Sequence, residues 1–153
     1  MIKAWLFLHV LGFTLWVGGA IASMVAGVSA KREGREGIGV VARAQAAIQK
    51  LLIGPGALLT VLSGLMLTFR ATGMTGELLG FNPWLVLMQA AGIVGALVAL
   101  LVGLPTATRL ARLDPAGSNA AYFDELRQRQ KVVASIAGVL ALVALVAGAL
   151  YRY

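Results

Sequence analysis

The chain contains no cysteine, which excludes disulfides, thiolate metal sites and cysteine nucleophiles. Charge is scarce as well, at 12% of 153 residues. All six acidic residues, Glu33, Glu36, Glu77, Asp114, Asp124 and Glu125, lie between the long apolar runs, so a proton relay built on intramembrane carboxylates lacks its parts. There is one histidine, His9, and no acid placed to orient it. Ser23, Ser29 and Ser135 are predicted deeper than His9 or on the opposite side, so a hydrolytic triad has no support either. The glycines follow no predicted strand and make no phosphate-binding fingerprint.

What the chain does have is apolar length. Its residues are 59% hydrophobic, with a mean hydropathy of +0.87, a combination that ordinary soluble domains do not show. Crossing the hydrocarbon core as a helix takes about 20 apolar residues, and four stretches qualify: residues 4–30, 51–70, 83–105 and 132–151. The expectation is an all-α, four-transmembrane-helix bundle forming a single integral membrane domain. The first stretch could pass for a signal peptide, with Lys3 ahead of it and Val28-Ser29-Ala30 as a cleavage-like end. Its apolar run is well beyond the roughly 7–15 residues of a signal's apolar region, and we read it as a span.

The net charge of +7 would suggest nucleic acid in a soluble protein. Here the basic residues cluster beside spans, where they meet lipid headgroups, and no nucleic-acid partner is expected. Five lie in the connection 31–50 (Lys31, Arg32, Arg35, Arg43 and Lys50) and five more in the connection 106–131 (Arg109, Arg112, Arg127, Arg129 and Lys131). Only Lys3, Arg70 and Arg152 remain for the other side. By the positive-inside rule the two rich connections are cytoplasmic, and both termini and the Thr72 to Asn82 loop are outside.

Val40, Val41, Ala44, Ile48 and Leu51 recur at helical spacing, which predicts that the second helix begins about three turns before the bilayer. Asp114-Pro115 and Ser118 read as helix-start signals, extending the fourth helix in the same way. Gly54-Pro55-Gly56 predicts a loosened or kinked stretch in the second helix. A weak internal repeat is also visible. Trp5-Leu6-Phe7-Leu8 matches Trp84-Leu85-Val86-Leu87 at an offset of 79 (84 − 5), Gln49-Lys50 matches Gln130-Lys131 at 81 (130 − 49), and Phe69-Arg70 matches Tyr151-Arg152 at 82 (151 − 69). This pattern suggests two duplicated helical hairpins.

His9 falls about 7–8 Å below the outer end of the first helix at 1.5 Å per residue. An ionisable side chain at that depth usually faces the protein interior and often marks function, although it can also be an interfacial residue bonded to a backbone carbonyl. It shares a face with Trp5, Gly12, Trp16, Gly19 and Ser23. The small residues there admit either a neighbouring helix or the edge of a flat ligand such as a porphyrin. Further small-residue stripes run through Gly56, Thr60, Gly64 and Thr68, and through Gln89, Gly92, Ala96, Ala99 and Gly103, with Ser135 and Gly138 on the fourth helix. Met66 and Met88 are predicted at the depth of His9, beside Gln89. An imidazole with a thioether can be the axial pair of a haem, and the same donors suit Cu(I).

The run Leu8-His9-Val10-Leu11-Gly12-Phe13-Thr14-Leu15-Trp16-Val17-Gly18-Gly19 resembles the opening helix of small four-span bacterial membrane proteins related to CopD, the copper-resistance membrane protein, and more distantly to HemJ, the haem-b-containing protoporphyrinogen oxidase. The resemblance implies a bacterial inner-membrane location and a haem-binding role for His9. HemJ-like proteins carry a functional lysine in a later span, which this chain lacks, and CopD-like proteins often carry further histidines or methionines, whereas this chain has a single histidine. The leading expectation is a membrane-embedded protein binding haem b or another porphyrin, with a redox or electron-transfer role and, if it is an enzyme, a haem-dependent oxidoreductase activity. His9 would be one axial ligand and Met88, or else Met66, the second; a His9 from another subunit of a homodimer is the other option. Arg70 would pair with a propionate. The alternatives are copper(I) transport or handling through His9, Met66 and Met88, and a non-catalytic structural or assembly subunit of a membrane complex.

Overall fold

The computed structural model describes residues 2–72 and 82–151, without the side chains of residues 31, 71 and 72. The outer loop expected between Thr72 and Asn82 lies, apart from its ends, outside the described residues, as does Arg152. Four helices long and apolar enough to cross a membrane run as α1 (Ile2–Ser29), α2 (Arg35–Arg70), α3 (Pro83–Leu110) and α4 (Ala120–Leu150). No strand occurs among the described residues. The protein is an all-helical membrane bundle, in which α1 packs chiefly on α2 and α3 chiefly on α4.

The local causes are visible in the chain. A short 3-10 turn, Ala30–Arg32, closes α1, and Arg35 opens α2 after Gly34. At the head of α3 the Asn82 side chain accepts the Trp84 N–H at 3.0 Å, with Pro83 in the first turn where its missing N–H costs nothing. Asp114-Pro115 does not start a helix. The Asp114 carboxylate instead accepts the Ala116 N–H at 2.9 Å, folding a turn, and α4 begins only at Ala120.

Two helices carry a wide π turn just ahead of a proline: Gln49–Ile53 before Pro55 in α2, and Val98–Gly103 before Pro105 in α3. A proline inside a helix has no N–H to return and its ring crowds the carbonyl four residues back, and an extra residue in the preceding turn relieves both problems. In α3 the Leu104 N–H reaches back five residues to the Ala99 carbonyl. That same oxygen accepts the buried Gln49 side-chain amide of α2 at 3.0 Å. Gly103 makes room, since a Cβ there would lie 3.0 Å from Gln49 Nε2.

The core is built from small residues around one large one. Trp16 is 2% exposed and packs with Ile53, Ala57, Ala96, Ala99, Ala137 and Ala141. In lipid, helices associate by close packing rather than by a hydrophobic drive, so small residues belong at the seams. Gly12 and Trp16 on α1 and their counterparts Ala91 and Gly95 on α3, at the offset of 79, are all buried. So are Gly56, Thr60 and Ser63 on α2 and, at the offset of 81, Ala137, Ala141 and Ala144 on α4. Trp16 lies against its own counterpart: a Cβ on Gly95 would be 3.3 Å from the indole edge. Three expected packing positions differ. A Cβ on Gly92 or Gly138 would meet nothing within 4 Å, and Ser135 is exposed. The fourth helix packs through alanines, whose methyl groups fill the seam and still permit close approach.

A second, smaller core of Ala42, Leu110, Phe123 and Leu126, with Ile38 and Leu113, joins the amphipathic start of α2 to the end of α3 and the start of α4. Arg35 ties its rim, pairing with Asp124 at 3.0 Å and donating to the Pro115 carbonyl at 3.2 Å.

Candidate functional site around His9

His9 stands near the free end of α1, two turns from its first residue, and turns its ring to α2. Its Nδ1 lies 2.9 Å from the Thr60 carbonyl oxygen and 3.3 Å from the Ser63 hydroxyl oxygen. A carbonyl oxygen only accepts, so in the neutral ring Nδ1 carries the hydrogen and Nε2 keeps its lone pair. Among the described residues Nε2 has no hydrogen-bond partner. Gly64 provides the berth: a Cβ there would lie 3.0 Å from Cε1 of the ring. Ser63 and Thr60 return their own hydroxyls to backbone carbonyls of α2, so the polar atoms around the ring are satisfied inside the helix pair.

The rest of the expected site is distributed differently. The space over Gly12 is taken by α2, since a Cβ would meet the Thr60 nitrogen at 2.8 Å and the Gly56 carbonyl oxygen at 2.9 Å. Gly19 is covered by Ile53, Leu52 and Ile48, also of α2. Trp16 is buried at the bundle centre against Gly95. Of the two partners that the face of α1 could take, a helix fills the places at Gly12 and Gly19. Met88 packs on α4, its sulfur 2.9 Å from where a Cβ on Gly148 would be, and Met66 is 43% exposed. The thioethers and the imidazole thus pack in different directions, and shared depth does not bring them together. Arg70 is exposed in the last turn of α2. Gln89 finds its partner in Thr68, donating at 2.8 Å.

Nothing in the sequence marks Thr60 and Ser63 as partners of His9. A set of amides toward the other end of the bundle likewise has no motif to announce it. Gln45 donates to the Ser23 carbonyl of α1 at 2.7 Å, Gln49 to Ala99, and Gln130 Oε1 is buried with no partner among the described residues. The available signal was the presence of glutamines facing apolar helices, where each must find a bond.

Chemically, the arrangement offers one imidazole with an oriented ring and, among the described residues, an Nε2 without a hydrogen-bond partner. Anchoring one ring nitrogen to a carbonyl fixes tautomer and orientation, which is how metal-ligating histidines are usually held. The donor set therefore fits one axial position of a haem or one ligand of a soft metal. Among the described residues no three His, Asp or Glu side chains gather into a metal-binding group.

No curated protein and no solved structure matches the chain. Residues 4–150 match the model of a family described as predicted integral membrane protein (DUF2269), and with nearly its whole length inside that match the chain belongs to this family.

Proposed function

We propose that this protein is a membrane-embedded haem-b-binding protein with a redox or electron-transfer role, and that His9 supplies an axial ligand through Nε2. The observation that carries the reading is the 2.9 Å bond from Nδ1 to the Thr60 carbonyl, which leaves the ligating nitrogen free on an oriented ring. The resemblance of the His9 to Gly19 run to CopD-like and HemJ-like proteins supports the same residue. With Met88 packed against α4, a second ligand would have to come from a donor outside this chain, such as His9 of a second copy. Arg70, exposed at the same end of the bundle, suits a propionate, because a guanidinium pairs with a carboxylate through two parallel bonds. A bound haem would supply one-electron chemistry; the chain's part is to hold the ring and the propionate and to keep the site in the bundle's outer half.

Protein purified after expression with ample haem should show a Soret band that His9→Ala abolishes while the helical circular dichroism persists. Met88→Ala should leave the spectrum unaltered, since its sulfur is committed to the Gly148 seam. A colourless protein overturns the haem reading. Cu(I) titration then separates copper handling, where His9→Ala removes the binding, from a second reading as a structural or assembly subunit. The seam contacts over Gly12 and Gly19 favour that second reading, because they make the His9 face of α1 an interhelical joint.

A further inference from the structure

We infer that the end of the bundle opposite His9 holds a specific site for the headgroup of an anionic phospholipid of the phosphatidylglycerol type. A cavity of about 250 Å³ lies between α3 and α4 there, and Arg109, Arg129, Tyr122 and Glu125 are among its lining residues, with Leu101 and Pro105 toward the span. From Arg109 to Leu101 along α3 is about 12 Å at 1.5 Å per residue, so the cavity runs from charged to apolar along the helix axis. That is the profile of a headgroup continuing into a glycerol backbone and acyl chain. The apolar end is open, with Leu101 69% exposed.

The charges are available. Arg109, Arg129 and Glu125 are exposed and form no ion pair or hydrogen bond among the described residues, whereas Arg35, at the same end of the bundle, is paired with Asp124. Two unpaired guanidiniums on facing helices match a phosphodiester, which accepts two-pronged contacts. Basic pockets between membrane helices commonly take lipid headgroups. Glu125 beside them disfavours a second negative charge and suits a hydroxyl donor, as a glycerol headgroup presents.

The other hairpin provides an internal comparison. At the repeat offsets, Leu126 corresponds to Gln45 (126 − 45 = 81) and Val102 to Ser23 (102 − 23 = 79). Between α1 and α2 that place is bridged, because Gln45 donates to the Ser23 carbonyl at 2.7 Å and its amide lies 2.9 Å from where a Cβ on Gly27 would be. Between α3 and α4 no such bridge forms, and the place is lined by Leu126 and Val102 under the two arginines.

The test is thermal unfolding of the full chain in a neutral maltoside detergent, titrated separately with short-chain phosphatidylglycerol, phosphatidylethanolamine, phosphatidylcholine and glycerol 3-phosphate. Phosphatidylglycerol should raise Tm in a saturable way, as ligands of the native state do. The double substitution Arg109→Gln and Arg129→Gln should weaken that binding roughly tenfold or more for each guanidinium, while Arg112→Gln, outside the cavity, should not. A shift of equal size from glycerol 3-phosphate would make this a free-phosphate site, and one from phosphatidylethanolamine or phosphatidylcholine would remove the anionic selectivity; either result overturns the inference. So does retention of the shift in the double variant, or no shift with any lipid. Native mass spectrometry of the unaltered protein gives an independent arm should the double variant misfold: retention of phosphatidylglycerol over phosphatidylethanolamine is expected, and no preference refutes the site.

Discussion

Gly12 and Gly56 meet backbone to backbone, each glycine filling the space where the other would carry a Cβ. A Cβ on Gly12 would stand 2.9 Å from the Gly56 carbonyl oxygen, and one on Gly56 would stand 2.8 Å from the Gly12 carbonyl oxygen. This is the closest kind of helix contact available in lipid, and it sets the depth at which α2 passes His9.

Gly12→Ala should therefore destabilise the fold by about 1–3 kcal/mol, because two of the obstructing atoms, the Thr60 nitrogen and the Gly56 carbonyl oxygen, are backbone and the helix would have to shift. Gly19→Ala should cost less, since its nearest neighbours are the side-chain atoms Ile53 Cγ1 at 2.9 Å and Leu52 Cβ at 3.2 Å and no backbone atom is among them. Gly92→Ala and Gly138→Ala, with nothing within 4 Å, should be neutral or stabilise by up to about 1 kcal/mol through helix propensity. Unfolding midpoints of the four variants in one detergent give the comparison, and equal losses at Gly12 and Gly92 would contradict these seams.

Gln49 and Gln130 occupy matching places in the two hairpins but fare differently. Gln49→Leu removes the bond to the Ala99 carbonyl and should cost about 0.6 kcal/mol and at most about 1.7, the average and the maximum for interhelical hydrogen bonds in a membrane bundle. Gln130→Leu removes a buried oxygen without a partner among the described residues and should be neutral or stabilising. The same unfolding assay decides both, and a marked loss at Gln130 would reveal a donor seated on that oxygen.

At the basic end, the apolar cluster should outweigh the ion pair. Phe123 is 0% exposed, and Phe123→Ala should cost about 3–5 kcal/mol. Arg35 and Asp124 are half exposed, so Asp124→Asn should cost no more than about 1 kcal/mol and less as salt is raised. Chemical denaturation at two ionic strengths measures both terms.

The orientation rests on ten of the thirteen lysines and arginines lying in two connections at one end. Gly34→Cys, in an open exposed position, should resist a membrane-impermeant maleimide in intact cells and react after lysis, whereas Ile2→Cys should react from outside. The absence of native cysteine leaves no background. Labelling of residue 34 in intact cells reverses the topology.

The number and type of the long helices, their membrane character and the stripe Gly12, Trp16 and Gly19 on α1 were all determined by the sequence itself, because hydrocarbon requires about 20 apolar residues per span and a helix places every third or fourth residue on one face. The helix-interior prolines Pro55 and Pro105, each with a π turn ahead of it, stand in plain view in the sequence. What periodicity cannot specify is which partner a face meets. Gly12 was compatible with a helix or a flat ligand, with the helix favoured for a glycine in lipid, and the crossing with Gly56 decided it. Met88 and His9 share a depth on paper, yet depth is one coordinate of three, and rotation about the helix axes turned the sulfur to Gly148 and the imidazole to Thr60. The partners of Gln45 and Gln49 are backbone carbonyls of other helices, and every residue has a carbonyl. No residue type marks the one that will accept, so those bonds were decided by the tertiary structure alone.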